Sequence, residues 1–250
     1  MTVRDIHNAK TGKVSDKWDS YLDYYEDIFS PKRNDAVSLF EVGVQNGGSL
    51  DTYAQYFKNG VAFVGCDINE RCRGLSYSDK RIHVVVGDAN TAATYQDVTA
   101  IANAFDFIID DGSHVSKDIL QSFVKYFPLL KPGSKYVVED THALYKRRYG
   151  GGILNDFSAY AFFKKLVDVV SYEWWSDDVT LDDYLATFCP SGAPQFIAQG
   201  WVDSVEFRNS IITINKAKTP SHNKLGARLA KGTEFLVRDW GNNLPATPYG

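Results

Sequence analysis

Apolar positions along this chain follow two rhythms. From Ser38 onward, short apolar runs of strand length alternate with longer segments whose apolar residues return every three or four positions. Residues 38–44, 61–67, 82–87, 105–110 and 135–139 read as buried strands. Residues 49–57, 91–103, 115–130 and 155–170 read as the helices between and after them. An acidic, aromatic segment at 16–29 (Trp18, Tyr21, Tyr24, Tyr25, Phe29) precedes the alternation with helical spacing, and Pro31 stops it. Strands alternating with helices predict right-handed crossovers and a parallel sheet covered on both faces. The end breaks the rhythm. Residues 202–207 and 211–215 are strand-like and separated only by Arg208-Asn209-Ser210, too short for a parallel return, so they predict an antiparallel hairpin. Between the last long helix and this hairpin, residues 176–200 contain Thr180-Leu181-Asp182-Asp183, a capping-box variant, followed by Pro190, Gly192 and Pro194. That stretch reads as either a lid or a packing insertion.

The bulk numbers narrow the class. A 250-residue chain fits one large α/β domain, and 44% hydrophobic with 23% charged residues is ordinary for a globular protein. A net charge of −4 argues against nucleic-acid binding. Basic residues gather at Lys146-Arg147-Arg148 and in the acid-free series Lys216, Lys218, Lys224, Arg228 and Lys231. These read as solvated surface, with an anionic substrate as the functional alternative. The three cysteines, Cys66, Cys72 and Cys189, lack metal-ligand spacing and read as free thiols. No apolar run reaches membrane-span length and the first residues lack a signal-peptide core, so the expectation is a cytoplasmic protein.

Acids at the predicted strand ends carry the chemistry. Glu41 lies inside the apolar first strand, before Gly43-Val44-Gln45-Asn46-Gly47-Gly48-Ser49. The glycines permit close backbone approach, but the pattern is not GxGxxG. A buried carboxylate needs a partner, and a ligand amine would supply one. Asp67 ends the second strand, where a carboxylate typically accepts from ribose hydroxyls. Asp88 follows the third, placed to take an adenine amino group. An amine, a ribose and an adenine together describe S-adenosylmethionine. Gln45, Ser49, Ile68, Ala89, Asp110 and Trp18 complete the candidate cofactor set. Strands four and five end in Asp110-Asp111-Gly112-Ser113-His114 and Glu139-Asp140. Asp111, Glu139 and Asp140 are hard oxygen donors without a suitable cysteine, which favours magnesium or manganese over zinc. His114, three residues past Asp111, is placed as a general base; His142 and Tyr149 are the weaker candidates for substrate contact.

A mostly parallel sheet finished by an antiparallel hairpin is the order of a class I methyltransferase (Rossmann-like) fold rather than a dinucleotide-binding one. The motifs resemble a family. DDGSH, then Phe127-Pro128-Leu129-Leu130-Lys131-Pro132-Gly133, then YVVED is similar to the metal-dependent sugar O-methyltransferases acting on macrolide antibiotics such as mycinamicin and tylosin. Rhamnosyl O-methyltransferases and cephalosporin hydroxylase-like proteins are more distant relatives. The resemblance includes Thr11-Gly12-Lys13, Asp16-Lys17-Trp18, Tyr24-Tyr25-Glu26 and Tyr149-Gly150-Gly151, and so spans about residues 10–152. It implies that Asp111, Glu139 and Asp140 hold magnesium, that His114 is the base, and that Glu41, Gly43, Asp67 and Asp88 hold the cofactor. Thr141-His142-Ala143 departs from the aromatic residues expected after the acidic pair, and the chain is short for the additional N-terminal domain of the antibiotic enzymes.

The resulting expectation is a helical segment, residues 1–35, covering the cofactor site of a methyltransferase domain, residues 36–250. The acceptor is a sugar hydroxyl of a rhamnose-type glycan, glycoside or nucleotide sugar, and the sequence leaves open a homo-oligomer, a fusion with glycosyltransferase domains or a chain that works alone. Two alternatives stay open: a metal-dependent hydroxylase, which would want histidine-rich iron ligation, and a non-catalytic binding domain of the same fold.

Overall fold

A computed structural model describes residues 1–229 and 231–234. The last part of the expected methyltransferase domain, 235–250, lies outside the described residues. Among the described residues, seven strands form one sheet in the order β3-β2-β1-β4-β5-β7-β6. They are β1 (Ser38–Val42), β2 (Ala62–Asp67), β3 (Ile82–Val86), β4 (Phe105–Asp110), β5 (Leu130–Val138), β6 (Val202–Arg208) and β7 (Ile211–Lys216). The first five pair in parallel, and β7 runs antiparallel to both β5 and β6. This is the order of the class I methyltransferase fold.

Among the described residues, eight α-helices flank the sheet: α1 (Val3–Asn8), α2 (Asp19–Phe29), α3 (Gly48–Tyr56), α4 (Ala92–Ile101), α5 (Ser116–Tyr126), α6 (Ala159–Val170), α7 (Leu181–Leu185) and α8 (Gln195–Ala198). Side chains alternate across each strand, so β1 sends Leu39 to one core and Phe40 to the other. Leu39, Phe63, Phe107, Ile109 and Val137 pack with α1, α2 and α3; Phe40, Val64, Ile108, Tyr136 and Val138 pack with α4 to α8.

Several bounds differ from the periodic reading, each for a local reason. The helix read over 115–130 stops at Tyr126, and a 3-10 turn over Phe127–Leu129 contains Pro128, which cannot donate a helical hydrogen bond. The last strand before the hairpin starts at Leu130, not 135, because β4 and β5 shift register between Phe105 and Phe107 and so absorb Pro132-Gly133. The helix expected from 155 begins at Ala159, where Ser158 Oγ caps Ala161 N–H. Helix α1 is an addition, closed by a Thr2–Asp5 capping box that the apolar pattern alone hides. Within 176–200 the Thr180–Asp183 capping box forms, and Leu185 and Ile197 are fully buried against the α6 side of the core. No residue of that stretch lines the crevice described next.

Most consequential is the start of α2. Helicity begins at Asp19 rather than 16, leaving residues 13–18 irregular, and that segment carries Lys17 and Trp18 onto the C-terminal edge of the sheet.

Candidate active site

A crevice of about 540 Å³ opens at the C-terminal ends of β1, β2, β4 and β5, where ligands bind in open α/β sheets. At one end it is lined by Gly43, Gln45, Ser49, Asp67, Ile68, Asp88 and Ala89; at the other by Asp110, Asp111, His114, Glu139 and Asp140, with Trp18 across the mouth. Thirteen sequence-selected residues therefore meet in one space. Glu41, His142 and Tyr149 do not line it.

The β1–β3 end is organised by backbone donors. Asp67 Oδ2 accepts from Val44 N at 2.9 Å and Gln45 N at 2.7 Å, while its Oδ1 accepts from Asn69 N at 2.8 Å. Asp88 Oδ1 accepts from Asn90 N at 2.8 Å. Gly43, at φ 92°, is required by a close approach: a Cβ there would collide with the Asp111 carbonyl. The glycine thus brings the β1 and β4 loops together. Glu41 is fully buried directly below, and its partners are side chains of this chain. Ser49 Oγ donates to it at 2.5 Å and Tyr53 Oη at 3.0 Å, so no ligand amine is needed to satisfy it. Burial pushes its carboxyl up to about 7.

The β4–β5 end is organised by side chains of the N-terminal segment. Lys17 Nζ lies 2.5 Å from Asp111 Oδ2 and 2.8 Å from both Glu139 oxygens, and Tyr25 Oη donates to Glu139 Oε1 at 2.5 Å. Burial opposes the Lys17 charge, yet Glu139 and Asp111 hold the ammonium well above the usual lysine range. Burial likewise drives Glu139 upward, with Lys17 as the main opposing influence. Asp140 Oδ1 accepts from Trp18 Nε1 at 3.0 Å and Tyr21 Oη at 2.8 Å. His114 Nε2 stands 3.8 Å from Asp140 Oδ2. Asp110 is buried beneath, accepting from Tyr136 Oη at 3.2 Å and Gly112 N at 3.4 Å; burial pushes it up to about 7.

Strain concentrates here. Of the four described non-glycine residues with positive φ, Gln45 (49°), His114 (57°) and Asp140 (51°) line the crevice. The fourth, Ser210 (68°) at the hairpin tip, hydrogen-bonds Tyr21 and His142. Such conformations cost roughly 1–3 kcal/mol each and persist where surrounding contacts hold them. His142 accordingly belongs to the clamp around Asp140, packing edge-on against Trp18, rather than to the crevice wall. Tyr149 lies apart, beneath the Arg148 guanidinium.

A divalent cation fits this donor set. Asp111, His114 and Asp140 each offer a ligand atom, and these lie within 4.8 Å of one another. Glu139 is not in that group, and Lys17 engages both its oxygens. Lys17, Tyr21 and Tyr25 had no assigned role in the sequence reading. The available signal for Lys17 was charge balance, since three clustered carboxylates require a cation and this is the lysine of the Asp16-Lys17-Trp18 segment.

Comparison with known proteins follows the geometry. Residues 40–141 match the family model described as a methyltransferase domain. The chain is 37% identical over 164 residues to the 8-demethyl-8-alpha-L-rhamnosyl tetracenomycin-C 2'-O-methyltransferase of Streptomyces olivaceus, covering 62% of this chain and 42% of that one. It is 29% identical over 187 residues to the demethylmacrocin O-methyltransferase of Streptomyces fradiae, covering 70% and 46% respectively. The chain therefore spans less than half the length of these curated relatives. Among solved structures, it is similar to the MycE methyltransferase from the mycinamycin biosynthetic pathway in complex with Mg and SAH. The TM-score is 0.65 at 25% identity, over 78% of this chain and 48% of that one. No described helix is long and apolar enough to cross a membrane. Matched sequence, strand order and fold agree that the chain carries a class I methyltransferase domain related to the sugar O-methyltransferases.

Proposed function

We propose that this chain is an S-adenosylmethionine- and divalent-metal-dependent O-methyltransferase acting on a sugar hydroxyl of a glycan, glycoside or nucleotide sugar. The carrying observation is that the carboxylates of Asp111, Glu139 and Asp140 and the imidazole of His114 share one crevice with Asp67 and Asp88. The relatives' activities and the Mg and SAH bound to MycE support the same reading.

When bound, the cofactor supplies an electrophilic methyl group and the metal acidifies a hydroxyl of a chelated vicinal diol. Asp111 and Asp140, with Glu139, are the residues that would hold the ion. Gly43, Gln45, Asp67 and Asp88 would hold the adenosyl group. His114 takes the acceptor proton, and the Asp140 carboxylate beside its Nε2 stabilises the imidazolium that results. Trp18 and Tyr21 fix Asp140. The chain's contribution is alignment and charge stabilisation.

Incubation with methyl-labelled S-adenosylmethionine, magnesium and a panel of rhamnosides, other glycosides and nucleotide sugars tests this. Label should pass to a sugar oxygen and transfer should stop with EDTA. Transfer indifferent to EDTA would remove the metal, and transfer only to non-sugar acceptors would overturn the substrate class.

A further inference from the structure

We propose that Lys17 is a resident counter-cation that a divalent ion must displace, coupling metal loading to release of the segment from Val14 to Trp18. The inference rests on the metal-site reading above.

Three observations carry it. First, the Lys17 side chain is only 7% exposed, and its Nζ engages oxygens of Asp111 and Glu139, two of the three carboxylates expected to ligate the ion. A dication and an ammonium cannot share those oxygens, because like charges at that separation repel strongly. Second, the neighbouring Trp18 Nε1 donates to Asp140 Oδ1, so consecutive residues of one segment occupy all three carboxylates. Third, this segment has no helical or strand ladder. Its backbone is tied to the body through Gly48 N donating to Val14 O at 3.0 Å, and it follows Gly12 at φ 90° with open space around it.

Withdrawal of Lys17 frees Glu139 Oε2 to join Asp111 and Asp140, while Oε1 still accepts from Tyr25 Oη. His114 is then left to handle a proton instead of serving as a ligand. Because residues Val14 to Trp18 also line the crevice, their movement changes the wall facing the cofactor and acceptor.

Two measurements decide the matter. Manganese binding is titrated by electron paramagnetic resonance on the wild type and Lys17→Met, and hydrogen exchange at the Gly48 amide of the wild type is followed with and without the ion. Lys17→Met should bind manganese about tenfold or more tightly, since a competing cation is gone. Exchange at Gly48 of the wild type, whose N–H is donated to Val14 O, should rise when the ion binds. Equal or weaker binding by folded Lys17→Met, or unchanged wild-type exchange at saturating manganese, overturns displacement while leaving the metal site standing. Absence of manganese binding by both proteins removes the metal site and this inference with it. Should Lys17→Met fail to fold, the exchange measurement on the wild type decides alone.

Discussion

Strand β4 ends in a buried aspartate at each side of the sheet, Asp106 near its start and Asp110 at its finish, both 4% exposed. Burial raises the pKa of each, but the outcomes diverge. Around Asp106, Lys131, Lys32 and the Ser38 N–H overcome burial and hold the carboxyl below its usual range. Around Asp110 only hydroxyls and the Gly112 N–H oppose burial, and the carboxyl stays up at about 7. One strand thus holds a neutralised structural acid at its N-terminal end and an uncompensated one at the end facing the crevice. Uncompensated acids cost stability, and they are what a site for cations and proton transfer requires.

This contrast can be broken in order of expected effect. His114→Ala, beyond the Asp110 end, should lower turnover roughly 10²–10⁴-fold with cofactor binding near normal, read by labelled methyl transfer and calorimetry. Retained turnover would take the imidazole out of the reaction. Asp106→Asn should leave turnover intact and cost about 2 kcal/mol in denaturant unfolding at pH 7, by stranding two lysines. Its sign follows from a lowered folded pKa: the stabilisation is present above the unfolded value of about 4 and fades as pH falls through the folded one. Equal loss of turnover and stability would erase the division between the two ends.

Asp110→Asn should behave oppositely. With a folded pKa near 7, Asp110 keeps a proton that the unfolded chain releases, so wild-type stability declines as pH rises from about 4 towards 7. The variant should lack that decline and be the more stable protein at pH 8, the two converging below about pH 4. A deficit in the variant that grows as pH rises through 7 would show that the carboxylate is needed charged. The smallest effect belongs to Lys131→Met. Its side chain is 37% exposed and Lys32 remains on Asp106, so less than about 1 kcal/mol should be lost.

How much could be read before folding differs between the parts of the site. The acids of β1 to β5 were legible because a parallel α/β sheet sends successive strand ends to one edge, so Asp67, Asp88, Asp111, Glu139 and Asp140 converge by topology alone. The antiparallel hairpin was legible from a three-residue connection, Arg208-Asn209-Ser210. Helix bounds were less so, because Pro128 and the Ser158 cap act locally against a periodicity that runs past them. Glu41 shows where topology ends. Its place inside a strand was evident, but its satisfaction by Ser49 and Tyr53 depends on α3 turning back over β1.

By itself, the sequence determined the strand–helix order, the closing hairpin, and which acids stand at the crevice edge, since periodicity and connection length are local properties. Only the tertiary structure decided which cations and hydroxyls those acids meet. Lys17 reaches Asp111 across 94 residues and Glu139 across 122, and Tyr21 reaches Asp140 across 119. Partners so distant along the chain are set by how the N-terminal segment packs over the sheet edge. At the opposite end of β4, Lys32, Lys131 and the Ser38 N–H, also distant along the chain, hold Asp106 instead.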